Sequence, residues 1–175
     1  MRILLHTCCA PCATHCVPAL RGLGHEVTLF FSNANIAPRE EHARRLDSVR
    51  LLADRLEAPL LIDETDHADW LEQAAKGYER EKEKGLRCER CFRYSLCRTY
   101  RAMLSGGFDR FTTTLSVSPH KHTPTLHAVG RALDAERFLA ADFKRNDGFK
   151  NSLRLSEQFG LYRQNYCGCE FSIRR

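Results

Sequence analysis

Short apolar runs alternate with amphipathic stretches along almost the whole chain. This alternation limits the fold more than any other feature. Ile3-Leu4-Leu5 reads as a buried strand, and residues 11–23 as a helix with Pro11 near its start and Gly22 and Gly24 as stop signals. Residues 25–31 are rich in β-branched and aromatic side chains and read as a second strand. Residues 38–56 repeat Leu46, Val49, Leu52, Ala53 and Leu56 at helical spacing. Residues 59–62 make a third strand, and residues 68–84 a charged helix. Residues 86–104 read as a helix bearing three cysteines, closed by Gly106-Gly107. Residues 111–117 read as a fourth strand, 124–133 as a helix, 137–141 as a fifth strand and 152–159 as a short helix. The pattern predicts a doubly wound α/β fold: a mainly parallel, Rossmann-like sheet with a cysteine-bearing helical insertion, in a single domain over residues 1–175.

In such sheets ligands bind at the carboxyl ends of the strands. The loops at residues 7–12, 118–120 and 142–144 should therefore share one edge. The first of these loops usually carries glycines that cradle a phosphate. Here it reads His6-Thr7-Cys8-Cys9-Ala10-Pro11-Cys12, thiols in place of glycines.

The chain holds nine cysteines among 175 residues. No stretch approaches the roughly 18 apolar residues of a membrane span, and the apolar run after Arg2 is too short for a signal peptide. A cytoplasmic location, where thiols stay reduced, is the expectation. Thiols in that setting point to metal binding or redox chemistry rather than a disulfide framework, and neighbouring Cys8 and Cys9 meet disulfide geometry poorly. The net charge of +5 permits a nucleic-acid partner without establishing one.

The cysteines form three groups: Cys8, Cys9 and Cys12; Cys88 and Cys91; and Cys167 and Cys169. Cys-x-x-Cys at Cys88 and Cys91 is a metal-chelate spacing. Zinc and iron–sulfur clusters both take four thiolates, and spacing does not separate them. One four-ligand site leaves five thiols over, which favours redox chemistry. Cys167 and Cys169 are separated by one glycine, so both can reach one point, as co-ligands or as a reducible disulfide. Cys16 and Cys97 fall on helices and read as core or bystander thiols.

Five stretches in order, H-T-C-C-A-P-C, R-C-x-x-C-F, T-T-T-L-S-V-S-P-H-K, A-D-F-K and L-Y-R-Q-N-Y-C-G-C, resemble the cobalamin-independent epoxyqueuosine reductases, the QueH family, from residue 3 to residue 172. The last stretch is the most specific. The resemblance implies reduction of epoxyqueuosine to queuosine at the tRNA wobble position, the last step of queuosine synthesis. It implies a 4Fe-4S cluster held by Cys8, Cys9, Cys88 and Cys91, and a redox-active pair at Cys167 and Cys169. A second metal ion, iron, has Cys12 and Asp142 as candidate ligands, and Asp142 is also a candidate catalytic acid.

The implied chemistry needs low-potential electrons and an acid at the departing oxygen. Candidate acids are His6, His120, Lys121, His122 and Asp142, although a histidine in an apolar strand such as His6 is more often a satisfied core residue. The implied partner is a tRNA anticodon stem-loop, read by phosphate contacts and stacking on splayed bases. Residues 143–150 and 162–166 interleave basic and aromatic side chains beside the expected site, with Lys144, Arg163 and Tyr166 as candidate substrate contacts. Arg39, Arg44, Arg45 and Arg50 read as solvent-facing, and Arg174-Arg175 as a tail. The sequence names no electron donor, and its size suits a monomer. Two other readings stand beside this one. A zinc-stabilised nucleic-acid-binding module leaves the surplus thiols unexplained. A thiol–disulfide oxidoreductase built on Cys9-Ala10-Pro11-Cys12 leaves Cys88 and Cys91 unexplained.

Overall fold

A computed structural model describes residues 1–173, so Arg174 and Arg175 lie outside the described residues. Four strands form one parallel sheet: β1 (Arg2–His6), β2 (Glu26–Phe31), β3 (Leu60–Ile62) and β4 (Arg110–Thr113), in the order β3-β2-β1-β4. The register sets Leu4 of β1 beside Thr28 on one side and Phe111 on the other. β1 is central, so its residues are buried on both faces and read as an apolar run rather than an alternation.

Side chains of β1 point alternately to two cores. Ile3 and Leu5 join Val17, Leu20, Val49 and Leu52 from α1 (Ala10–Gly22) and α2 (Arg39–Arg55). The short α3 (His67–Trp70) follows β3, ahead of the long α4 (Leu86–Ser105). Leu4 and Phe111 pack on the opposite face with Leu96 and Met103 of α4 and Leu126 of α5 (Thr123–Leu133). Phe149 of α6 (Gly148–Gln158) packs against the first core. Helices thus cover both faces of an all-parallel sheet, which is the doubly wound arrangement. The cysteine-bearing helix α4 is itself part of this cover.

Several elements depart from the sequence expectation. The charged helix over residues 68–84 is replaced by α3, one π-helical turn at Leu71–Ala75 and a series of turns. Beyond Trp70, Ala74 and Ala75 this stretch has no apolar stripe to bury, so nothing rewards continued helix. Buried Arg87 gathers the turns instead, its Nη1 donating to the carbonyls of Tyr78, Glu79 and Glu81 at 3.1, 3.0 and 2.5 Å. The fourth strand ends at Thr113 rather than residue 117. Thr113 Oγ1 accepts the Leu115 N–H at 3.1 Å and turns the chain into a 3-10 helix over Thr114–Val117. The fifth strand reduces to one parallel bridge between Phe111 and Phe138. α6 begins at Gly148, ahead of the expected residue 152.

Among the described residues, no helix is long and apolar enough to cross a membrane.

Candidate thiol and metal site

With the order β3-β2-β1-β4, the chain leaves the neighbours β1 and β4 in opposite directions across the sheet, the switch point beyond whose carboxyl ends such sheets bind ligands. The loop after β1 runs straight into α1. Cys9 is the N-cap of that helix, and Pro11 pre-sets its first turn. Cys12 lies within that turn. Unpaired N–H groups and the positive end of the helix dipole favour negative charge here.

The sulfurs of Cys8, Cys9 and Cys12 lie within 4.8 Å of one another. The Sγ atoms of Cys9 and Cys12 are 3.1 Å apart. Bonds from Cys12 and then Cys8 hold the Cys9 thiol well below its ordinary value, against the opposing effect of burial. Bonds to Cys8 and Cys9 hold Cys12 well above its own. Thr114, just past β4, ties that strand's end to the loop after β1: its hydroxyl accepts the Cys8 N–H at 3.1 Å and donates to Cys8 Sγ at 3.3 Å.

Cys88 and Cys91 occupy the first turns of α4, three residues apart and therefore on one face. Cys88 Sγ accepts the Lys84 N–H at 3.2 Å. Burial pushes the Cys91 thiol up, and so does nearby Cys167, while Lys121 pulls the other way. Lys121 Nζ donates to Cys167 Sγ at 2.7 Å. Cys169 is buried beside Ser172, its Sγ 3.7 Å from the hydroxyl, and burial raises its thiol. All nine cysteines are free thiols.

The tail links the two neighbourhoods. The Gln164 side chain reaches Cys9, and three residues later Cys167 meets Lys121. Gln164 Oε1 is buried without a partner. The turn is clamped from α2, where Arg45 is 2% exposed, bonded to Glu41 at 2.7 Å. Arg45 also donates to the carbonyls of Cys167 and Tyr166 at 2.9 and 3.3 Å. This overturns the solvent-facing reading of Arg45, because its partners arrive from a distant part of the chain. Arg39, Arg44 and Arg50 are exposed.

The remaining candidates are placed as follows. Asp142 is half-buried and accepts the Lys144 N–H at 3.2 Å. Lys144 Nζ donates to the Lys121 carbonyl and to Thr123 Oγ1, both at 2.7 Å. Arg163 is exposed, with its guanidinium 5.9 Å from the Phe149 ring centre. Tyr166 lends its hydroxyl to the Ala37 carbonyl at 2.6 Å and one ring face to Arg45. Phe143 is 6% exposed within the core, which removes it from any stacking role. His6 is a satisfied core residue, bonded to Thr113 Oγ1 and the Ser32 carbonyl. Burial lowers it to about 4 and keeps it neutral. Cys16 lies in the first core. Sequence reasoning missed Gln164 and the Arg45 clamp. Adjacency to the C-G-C stretch was the only available signal for Gln164.

The family model described as "Epoxyqueuosine reductase QueH" matches residues 3–175. The chain belongs to the QueH family. A protein of Streptococcus pyogenes serotype M1 with that description is 34% identical over 181 residues, covering 98% of this chain and 70% of its own length. A Thermotoga maritima QueH is 32% identical over 176 residues, covering 98% of this chain and 90% of its own. A Helicobacter pylori QueH is 32% identical over 182 residues, covering 98% of this chain and 49% of its own.

Proposed function

We propose that this chain is an epoxyqueuosine reductase of tRNA queuosine synthesis, acting as a single catalytic domain on the wobble position of a tRNA anticodon loop. The reaction takes two electrons and two protons. The epoxide oxygen leaves as water, and a carbon–carbon double bond forms where both C–O bonds break. The observation that carries the reading is the convergence of thiols at the sheet's switch point in a chain of this family.

The thiolate chemistry of these cysteines suits an iron–sulfur cluster; the sulfurs that lie together in the structure are Cys8, Cys9 and Cys12, and Cys88 and Cys91 stand outside that group. Cys8 and Cys9 border a helix N-terminus that favours thiolate, and Cys88 and Cys91 present two sulfurs from one helix face. We assign these four as the ligands of a 4Fe-4S cluster. Cys12 and Asp142 are assigned to a second metal ion, iron. When bound, such centres supply single electrons at low potential and a Lewis acid for the oxygen. The chain's own residues do the rest. Thr114 fixes the Cys8 sulfur, and the Arg45 clamp fixes the backbone at Cys167. The Cys167 and Cys169 sulfurs together hold two electrons, the number that one turnover consumes. Asp142, half-buried at the same edge, is assigned as an acid for the departing oxygen. Lys144, Arg163 and Tyr166 are assigned to the tRNA side, with Lys144 acting through the backbone that it props and Arg163 presenting an exposed charge to phosphate.

The test is iron and sulfide analysis of protein purified without oxygen, followed by an assay on epoxyqueuosine tRNA. About four irons and four sulfides per chain, with visible absorption that bleaches on reduction, and formation of queuosine are expected. Stoichiometric zinc without sulfide, with no queuosine formed, overturns the reading in favour of a zinc-stabilised binding module.

A further inference from the structure

Lys121 is a lysine placed where its charge is costly. It lies in the segment between the 3-10 helix at Thr114–Val117 and α5. Its Nζ is 2.7 Å from Cys167 Sγ and 5.8 Å from the centre of the Phe92 ring. Burial removes water from an ammonium and pushes it toward neutrality. Here Cys167, through its proximity and its hydrogen bond, together with Cys91 and Cys88, more than offsets that loss, and Lys121 is held above its ordinary value.

A second lysine holds the first in place. Lys144 Nζ ties the Lys121 carbonyl to Thr123 Oγ1, with both bonds at 2.7 Å. The Lys121 N–H donates to the Ser118 carbonyl at 3.2 Å. The backbone at Lys121 is therefore fixed on both sides, and its side chain has a defined origin. Lys121 also lines a cavity of about 280 Å³ with Cys88, Phe92 and His120. The two thiols of the C-G-C turn thus have different surroundings. Cys167 is half-buried and bonded to an ammonium, whereas Cys169 is buried beside the Ser172 hydroxyl and the Phe171 backbone, with Arg87 as the nearby positive charge.

We propose that Lys121 is a positioning residue for the Cys167/Cys169 pair: its ammonium, bonded to the Cys167 sulfur, is a partner that the reduced pair has and the disulfide lacks, and so stabilises the reduced form. This rests on the reading of these two cysteines as the redox pair. On oxidation a bond forms between the two sulfurs. Two electrons go to the epoxide carbons; the departing oxygen takes one proton from the Cys169 thiol and one from solvent, and water leaves. An ammonium bonded to a thiolate is lost as a partner when the sulfur becomes part of a disulfide. Such a partner therefore makes the disulfide more oxidising.

The experiment equilibrates metal-loaded protein, without oxygen, in redox buffers of reduced and oxidised dithiothreitol. Thiols are trapped by alkylation, and the Cys167–Cys169 disulfide fraction is read by peptide mass. Lys121→Gln and Lys121→Met are expected to shift the equilibrium about tenfold toward disulfide, about 30 mV for two electrons. Lys121→Arg, which keeps the charge and donors, is expected to stay within about threefold of the parent. The alkylation rate of Cys167 in a Cys169→Ser background should fall in the Gln and Met variants and recover in the Arg variant. Two uncharged variants that match the parent overturn the proposal. So does an Arg variant shifted as far as Gln, since the effect is then one of shape. A parent chain that forms no such disulfide at any buffer ratio refutes the redox pair itself, and with it this role.

Discussion

Replacing Arg45 by methionine keeps the side chain's length and apolar stem but removes its charge. The guanidinium is 2% exposed and makes three bonds: one to Glu41 and two to the carbonyls of Tyr166 and Cys167. Without it the Glu41 carboxylate, 8% exposed, keeps only the Tyr162 hydroxyl at 2.8 Å. Removing one partner of a buried ion pair costs about 3–5 kcal/mol, chiefly because the other charge is stranded. The two carbonyls lose their donors as well, so the upper half of that range applies. For a chain of this size each kcal/mol moves the midpoint by about 2–4 °C, which gives a fall in Tm of roughly 8–20 °C. Urea unfolding of the parent, Arg45→Met, Glu41→Gln and the double variant measures both the loss and the coupling. The double variant should be more stable than Arg45→Met, because it no longer strands a charge. A loss below about 1 kcal/mol, or a double variant no better than Arg45→Met, refutes the buried-clamp argument.

Two further outcomes are expected. Burial acts to raise Asp63, but bonds from the Arg98 guanidinium, Ser32 and Thr65 outweigh it and hold the carboxyl at about 2. Its folded value is depressed, so its contribution is complete above about pH 5 and is lost as pH falls through about 4 toward 2. Discounted for partial solvent screening, this is roughly 1–2 kcal/mol. Asp63→Asn should remove that acid-dependent limb from urea midpoints measured between pH 5 and pH 2.5, and an unchanged limb contradicts the assignment. Gly168 has φ +150°, and an added Cβ would lie 3.1 Å from Asn35 Nδ2 and 3.2 Å from Ile36 Cγ1. Gly168→Ala should cost about 1–3 kcal/mol in unfolding and lower queuosine formation several-fold by moving both flanking cysteines. Parental stability together with parental turnover would show that the turn tolerates the strain.

The sheet was legible because each of its inner strands is buried on both faces and each long helix on one, so apolar runs and helical stripes mark them directly. Strand ends were less so. Residues 114–117 look as extended as 110–113, and only the Thr113 hydroxyl bond to Leu115 ends the strand. Within the site, short-range spacing was readable: Cys8, Cys9 and Cys12 meet because one turn separates them. Long-range partners were not. Arg45 sits among exposed charges in sequence, yet it bonds carbonyls 121 and 122 residues away. Sequence alone leaves Lys121 among several candidate acids, and the fold pairs it with a sulfur 46 residues on. Lys144 reads as a candidate substrate contact from its basic neighbours, and the bond from its ammonium to the Lys121 carbonyl is visible only in the fold.

The tail that joins the two thiol neighbourhoods also fixes the order in which competence arises during synthesis. A chain that has emerged only as far as residue 166 already holds seven of the nine cysteines. It has the helix terminus that gathers the first three of them, but it lacks the sulfur that meets Lys121 and the carbonyl of Cys167 that Arg45 receives. Contacts spanning so much of the chain close late, after the local helices and the sheet. A growing polypeptide can therefore gather the sulfurs of the first loop well before the Cys167 turn reaches Lys121 and Arg45.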